Sequence, residues 1–446
     1  MTRTFSFTLL SILDTIVLLK CKNLAGTVAR FFKGREEVSI WTKRHVTVVV
    51  SGGIASYKAL VLVRSLMKQG AVVRVAMTPH AAKFITPLTF QTLTQQPVVI
   101  DEFTTTDPHH VVHVALADWT EVMILVPATA NLIAKVANGL ADDAATTTIL
   151  ATTAPKFVVP AMNSHMYANP ATQRNLKQLT TDGLHVLTPA TGMLAEGYSG
   201  QGRLPEPAVI LAWLTDQLIQ LTPDLPLAGR RVVVTAGGTR EALDPVRFIT
   251  NRSSGKMGYA VAQVARELGA TVTLISATTH LAAPSGVKVV TVDSAQSLLT
   301  AVSDIFDDTD ILVMAAAVSD YRPAELADQK IKKPADHADL TLRLTETPDI
   351  LKTLAARKHQ QYVIGFAAET QSLLANANRK LTSKKLDLIV ANDVSKPGVG
   401  FNGDTNQVTL LRPEQQPVTT ELTTKTAIAK QILMTAIADG AEHRHD

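Results

Sequence analysis

The chain has 446 residues, is 46% apolar and 18% charged, carries a formal charge of +4 and contains one cysteine, Cys21. That length allows two or three domains, each able to bury its own core, and the composition excludes a disordered chain and a membrane bundle. A single cysteine excludes an intrachain disulfide scaffold and a thiolate metal cluster.

The basic balance is local. Residues 1–44 hold eight Lys/Arg against three acids, which leaves the rest of the chain near −1. A general nucleic-acid binder is therefore not expected. Within this stretch Phe5 to Leu19 is apolar but is interrupted by Asp14, short of the ~20 residues of a membrane span. Leu18-Leu19-Lys20-Cys21 lacks the small residues of a secretory cleavage site. The expectation is a leader, 1–44, outside the core; a weak amphipathic helix on a membrane surface is the alternative.

A first module, 45–222, opens with the β-branched run His45 to Val50, which predicts a buried strand. Ser51-Gly52-Gly53-Ile54-Ala55-Ser56 turns it into an amphipathic helix, Tyr57 to Lys68, and Val72 to Met77 is the next strand. Glycines at such a turn let backbone approach a phosphate, and the helix dipole favours the anion. The turn is not GxGxxG, and Met77-Thr78-Pro79 replaces the acid that would hold an adenosine ribose. A mononucleotide fits better than NAD, so a two-domain dehydrogenase is disfavoured.

His113 precedes a strand at Val122 to Val126, which ends in Pro127-Ala128-Thr129-Ala130-Asn131. A lone histidine is more often structural than catalytic. Phe157 to Val159 is a further strand, followed by Pro160-Ala161-Met162-Asn163-Ser164-His165-Met166-Tyr167. Two methionines and a tyrosine around one amide make an apolar clamp able to fix a carboxylate. The glycine-dense segment Thr191 to Arg203 reads as a mobile flap rather than a hairpin turn.

Prolines and glycine at 223–229 mark a domain joint. In the second module, 230–446, the pattern restarts with strand Arg231 to Thr235, helix Tyr259 to Leu268 and strand Thr271 to Ile275. Val287 to Val292, helix Ser294 to Phe306 and strand Ile311 to Met314 continue it. The connection Thr239 to Gly258, about twenty residues, is longer than strand–helix loops usually are, and such loops are usually functional. It gathers Arg240, Arg247, Asn251, Arg252, Gly255 and Lys256 before a helix N-terminus, which suits a polyanion such as a nucleotide phosphate. The fold class expected is α/β, two doubly wound Rossmann-like domains with a non-core leader.

SGGIASYK, PATAN, the His before the third strand, PAMNSHMY and the glycine-rich flap together resemble the flavin-dependent cysteine decarboxylases. AGGTRE, DPVRFITNRSSGKMG, AAAVSDYRP, KIKK, TPDI, GFAAET and AND resemble the phosphopantothenate–cysteine ligases. In this order, over roughly residues 45–435, they resemble the bifunctional coenzyme A biosynthesis proteins of bacteria. The resemblance implies that CTP activates 4'-phosphopantothenate as an acyl-cytidylate, which cysteine displaces to form an amide. The product would then be oxidised at its Cβ–S bond, decarboxylated and reduced again to 4'-phosphopantetheine.

By that resemblance Gly52, Gly53, Ser56, Thr78, Thr129 and Asn131 line an FMN site, and His113 is the acid/base at the substrate. Asn163 holds the carboxylate, with Met162, Met166, Tyr167 and Arg203 around the substrate. The flap cysteine that protonates the enethiolate in the family is absent. Glu196 stands in its place, with Tyr198 a second candidate; a carboxyl could donate if burial raised its pKa. Ala315, Ala316, Ala317 and Asp320 would hold cytidine, with Lys330 over the triphosphate. Pro348, Asp349, Ile350, Leu351, Phe366, Lys380 and Lys384 would complete the CTP site. Asn251 and Arg247 would handle phosphopantothenate and its acyl-cytidylate, and Lys332 reads equally as solvated charge. Mg²⁺ is expected with CTP, without assigned ligands. The resemblance further implies a cytoplasmic homo-oligomer, possibly a dodecamer built from trimers and dimers, without stable membrane association. A flavin-binding regulatory protein is the alternative, disfavoured by the intact ligase half.

Overall fold

The structure is a computed structural model that describes residues 39–103, 111–277, 279–332, 340–369, 372–393, 400 and 403–442. Residues 1–38 of the expected leader, Lys333 of the KIKK motif and Thr370 of GFAAET lie outside the described residues. The described residues fall into two compact units, one ending at Pro223 and the other starting at Asp224.

In the first unit β1 (His45–Val50), β2 (Val72–Met77), β3 (Val98–Val99), β4 (Val122–Ala128), β5 (Lys156–Pro160) and β6 (His185–Val186) form one sheet, ordered β3-β2-β1-β4-β5-β6. Every pairing in it is parallel. This is the doubly wound order of dinucleotide folds, whose switch point falls between β1 and β4. A parallel strand covered on both faces needs apolar residues on both. Accordingly Val46, Val48 and Val50 pack into one core and Val49 into the other.

The leader expectation fails at its end. Trp41 is fully buried in this core and donates its indole N–H to Thr215 Oγ1 at 2.9 Å. The unit's packing therefore starts before β1, and truncating Trp41 to alanine would cost about 3–5 kcal/mol. The aromatic lay outside the strand pattern, so periodicity did not include it.

The flap expectation is also corrected. β7 (Ala190–Met193) and β8 (Ser199–Arg203) pair antiparallel as a hairpin, closed by Leu194 N–H to Tyr198 O at 2.9 Å. The glycines there serve close approach, not mobility. A Cβ on Gly200 would stand 2.6 Å from Ser164 Cβ, and one on Gly202 would collide with the Met162 carbonyl. The hairpin thus lies flat on the Met162–Ser164 turn, and Met162 N–H bonds Gly202 O at 3.0 Å.

The second unit repeats the architecture. Its strands are β9 (Arg231–Ala236), β10 (Arg240–Ala242), β11 (Phe248–Thr250), β12 (Thr271–Ser276), β13 (Lys288–Thr291) and β14 (Ile311–Met314). There follow β15 (Tyr321–Pro323), β16 (Leu344–Glu346), β17 (Tyr362–Glu369), β18 (Leu388–Asp393), β19 (Thr405–Asn406), β20 (Val408–Leu411) and β21 (Val418–Thr419). The main sheet runs β13-β12-β9-β14-β17-β18-β20-β21, parallel up to β18 and antiparallel beyond it. Val232 and Val234 face one core and Val233 the other. The joint belongs to this unit: Leu227 is buried in its core and bonds Leu268 O at 2.8 Å.

Two candidate ligand cavities

Each unit has a cavity at the carboxyl ends of its central strands. The first, about 880 Å³, is lined by Gly52, Gly53, Thr78, Thr129, Asn131, Met162, Asn163, Met166, Glu196 and Arg203 among others. The volume suits a cofactor-sized ligand. Its floor is the β1 turn. Ser51 Oγ donates to Pro127 O at 2.6 Å and accepts from Thr129 N–H at 3.0 Å, which pins the turn to the end of β4. A Cβ on Gly52 would stand 2.6 Å from His80 Cβ, so only glycine lets the two loops meet. Ser56 is buried and spends its hydroxyl on Gly53 O at 2.6 Å. It braces the turn from behind and does not line the cavity.

Asn163 caps the short helix Ser164–Ala168 through Oδ1, which accepts from His165 N–H at 2.8 Å. Its amide donates to Glu196 Oε1 at 3.0 Å and to the Tyr198 hydroxyl. That contact corrects the expectation for Glu196. The side chain is exposed, and the Asn163 amide, with a backbone hydrogen bond, holds its carboxyl below the usual range. Burial raises it less than these bonds lower it, so Glu196 is a carboxylate at neutral pH.

Tyr167 packs partly buried against the sheet core beside this cavity and is not among its lining residues. His113 is not among them either. It sits in the helix Val112–Trp119, with Nδ1 3.1 Å from Glu102 Oε2 but not aligned for a hydrogen bond. Lys58, which sequence reasoning passed over, does line the cavity and pairs with Glu206 at 2.8 Å. Its place on the helix after the glycine turn was the available signal.

The second cavity, about 720 Å³, is lined by Asn251, Ala315, Ala316, Ala317, Asp320, Pro348, Asp349, Ile350, Leu351, Phe366, Lys380 and Lys384. Asp349 caps the helix Ile350–Ala355 through Lys352 N–H at 3.1 Å and also pairs with Lys384 at 3.1 Å. Asn251 donates to Val318 O at 2.9 Å. Its loop is long because it contains the β10–β11 hairpin. Gly237 and Gly255 adopt φ of +84° and +76° at its two ends, conformations open to glycine.

Arg247 and Lys330 are not among the lining residues. Arg247 instead makes two bonds to buried Asp244, at 3.0 and 2.5 Å, and one to Ile331 O at 2.9 Å. Asp244, held well below the carboxylate range chiefly by that guanidinium, also accepts from Ile331 N–H at 3.1 Å. This knot ties the hairpin to the loop carrying Lys330, which is exposed.

Sequence reasoning missed Ser319, Asn392, Asn406 and Lys425, which also line this cavity. Ser319 Oγ and Asn392 Oδ1 are buried without a hydrogen-bond partner among the described residues. Among those residues no three His, Cys, Asp or Glu gather as a metal site. Asp320, Glu346 and Asp349 are the carboxylates named in the lining, and a phosphate-bound Mg²⁺ needs only one or two such groups.

Residues 35–219 match the Flavoprotein family, and residues 227–439 match the DNA/pantothenate metabolism flavoprotein C-terminal domain. The coenzyme A biosynthesis bifunctional protein of Bacillus subtilis is 49% identical over 368 residues, 82% of this chain and 90% of that one. The Escherichia coli protein of the same name is 45% identical over 369 residues, again 82% and 90%. Among solved structures, the C-terminal domain of such a bifunctional protein is 40% identical, with TM-score 0.42, covering 50% of this chain and 100% of that one. A PPC decarboxylase mutant complexed with pantothenoylaminoethenethiol is 32% identical, with TM-score 0.37, covering 40% of this chain and 100% of that one. With both modules matched in one chain and in the same order, the chain belongs to the family of bifunctional coenzyme A biosynthesis proteins.

Proposed function

We propose that the second unit joins 4'-phosphopantothenate to cysteine at the expense of CTP, and that the first decarboxylates the product to 4'-phosphopantetheine. The observation that carries this reading is the pair of cavities, each at a sheet switch point and each lined by many, though not all, of the residues that mark one activity. Family membership supports the two activities, decarboxylase and ligase, over a flavin-binding regulator.

In the first cavity Gly52, Gly53, Thr78, Thr129 and Asn131 would hold FMN, which when bound accepts a hydride from the substrate and returns it. The glycine cradle fits a group that must lie close to backbone. Met162 and Met166 exclude water from the apolar part of the substrate. Asn163 offers its amide to the substrate carboxylate, in the place where the Glu196 carboxylate now sits. Because Glu196 is ionised, the Tyr198 hydroxyl, which meets the same amide although Tyr198 is not among the lining residues, would be the better donor to the enethiolate. His113 would serve as acid/base in a neighbouring copy, since it does not line the cavity of its own chain; this makes the enzyme a homo-oligomer.

In the second cavity Asp320 and the Ala315–Ala317 turn would hold cytidine, with Lys380 and Lys384 on its phosphates and Asn251 on the acyl-cytidylate. Arg247 positions the Lys330 loop, which would close over the triphosphate together with Mg²⁺. No helix among the described residues is long and apolar enough to cross a membrane, and we assign the enzyme to the cytoplasm. Denaturing the purified yellow protein should release FMN, identified by mass, at close to one per chain. Release of FAD, or a colourless protein that takes up no FMN, would overturn the decarboxylase reading.

A further inference from the structure

The amide of Asn163 is fully committed. Its Oδ1 accepts from His165 N–H at 2.8 Å, which fixes the end that faces the hairpin. Its two N–H donors go to Glu196 Oε1 at 3.0 Å and to the Tyr198 hydroxyl. A primary amide has two donors and no more. A ligand carboxylate therefore bonds Asn163 only by displacing a side chain of the β7–β8 turn. Of the two, Glu196 offers the same chemical group as such a ligand, and it lines the cavity.

The hairpin is built so that its tip can leave while its base stays. At the base Met162 N–H bonds Gly202 O, and Gly200 lies so close to Ser164 that a Cβ would collide with it. Arg203 adds a pair with Glu206 at 3.0 Å, and Glu206 in turn holds Lys58 at 2.8 Å. The tip, by contrast, closes on itself, with Leu194 N–H to Tyr198 O at 2.9 Å and Gly197 N–H to Leu194 O at 3.1 Å. Gly197 takes φ +85° there, and a Cβ on it would meet no atom within 4 Å. Among the described residues, the two bonds to Asn163 are the side-chain hydrogen bonds that tie 194–198 to the rest of the unit.

Resting on the decarboxylase reading, we infer that Glu196 is a positioning residue. It latches the hairpin tip onto Asn163 as a stand-in for the substrate carboxylate, which must displace it to bind. Loss of that carboxylate as carbon dioxide vacates the amide, and the tip returns with Tyr198. The proton donor thus meets Asn163 only after decarboxylation, which orders the two steps.

The test is equilibrium binding, to the full-length flavin-loaded protein, of two ligands that differ only in the carboxylate. 4'-Phosphopantothenoylserine carries it, with a hydroxyl where the substrate has its thiol, and 4'-phosphopantothenoylethanolamine lacks it. Glu196→Gln should tighten the serine ligand ~3–30-fold, because a weakened latch leaves more of the protein open to it. Kd for the ethanolamine ligand should not change. Glu196→Asp keeps the charge but is one methylene too short to reach the amide, and it should tighten the serine ligand as well. Both changes lie at an exposed turn and leave the base of the hairpin intact. A gain in Glu196→Gln alone would be relief of charge repulsion and would overturn the latch. So would an unchanged Kd for the serine ligand in both variants, or an equal gain for both ligands. Wild-type protein that releases no carbon dioxide from 4'-phosphopantothenoylcysteine would instead sink the decarboxylase reading itself.

Discussion

Tyr198→Phe should leave carbon dioxide release intact while slowing the final reduction ~10²–10⁴-fold, the usual contribution of a positioned proton donor. In single turnover the flavin would stay reduced, and enethiol would accumulate in place of 4'-phosphopantetheine. Protonation state decides between the two groups. Glu196 and Tyr198 meet on the same Asn163 amide. Glu196 is exposed and its pKa is lowered by that amide, so it has no proton to give near neutrality, whereas a phenolic hydroxyl is a donor there. The ring itself, 5.9 Å from that of His165, remains in the phenylalanine variant, so packing is kept. Glu196→Gln should reduce the intermediate at the normal rate and bind substrate more tightly, because a carboxylate no longer competes for Asn163. If Glu196→Gln loses the reduction while Tyr198→Phe retains it, the roles are reversed.

His113→Asn should lower carbon dioxide release by a similar ~10²–10⁴-fold with flavin content unchanged. The same variant, coexpressed with inactive Asn163→Asp, should recover part of the activity. His113 is absent from the lining of its own chain's cavity, and its Nδ1, 3.1 Å from Glu102 Oε2 but not aligned with it, has no hydrogen-bond partner among the described residues. Val111 and Val114 beside it are 50% and 41% exposed, a surface another copy could cover. A mixed oligomer would then contain some sites with both residues intact. If mixed oligomers form and recover nothing, His113 acts within its own chain or is structural.

The strands were legible because buried parallel strands require unbroken β-branched runs. His45–Val50, Val72–Met77 and Ile311–Met314 fall where the pattern predicts them. Local chemistry also marked the glycine turn and the Asn163 clamp. What was not legible depended on contacts distant in sequence. Trp41 is held by Thr215, outside any periodic segment. The glycines of the β7–β8 hairpin looked mobile because the Met162–Ser164 turn they press on lies earlier in the chain. Glu196 looked capable of burial until its partner was known to be an exposed amide donor. Lys425 lines the ligase cavity from a helix that follows every strand of the main sheet in sequence, and no local pattern signals that.

Both reactions should run in sequence on one chain. Purified protein given CTP, Mg²⁺, 4'-phosphopantothenate and cysteine should release pyrophosphate and carbon dioxide in equal amounts and accumulate 4'-phosphopantetheine. Omitting cysteine should abolish the carbon dioxide. Pyrophosphate without carbon dioxide when all substrates are present, or carbon dioxide formed without CTP, would contradict the account.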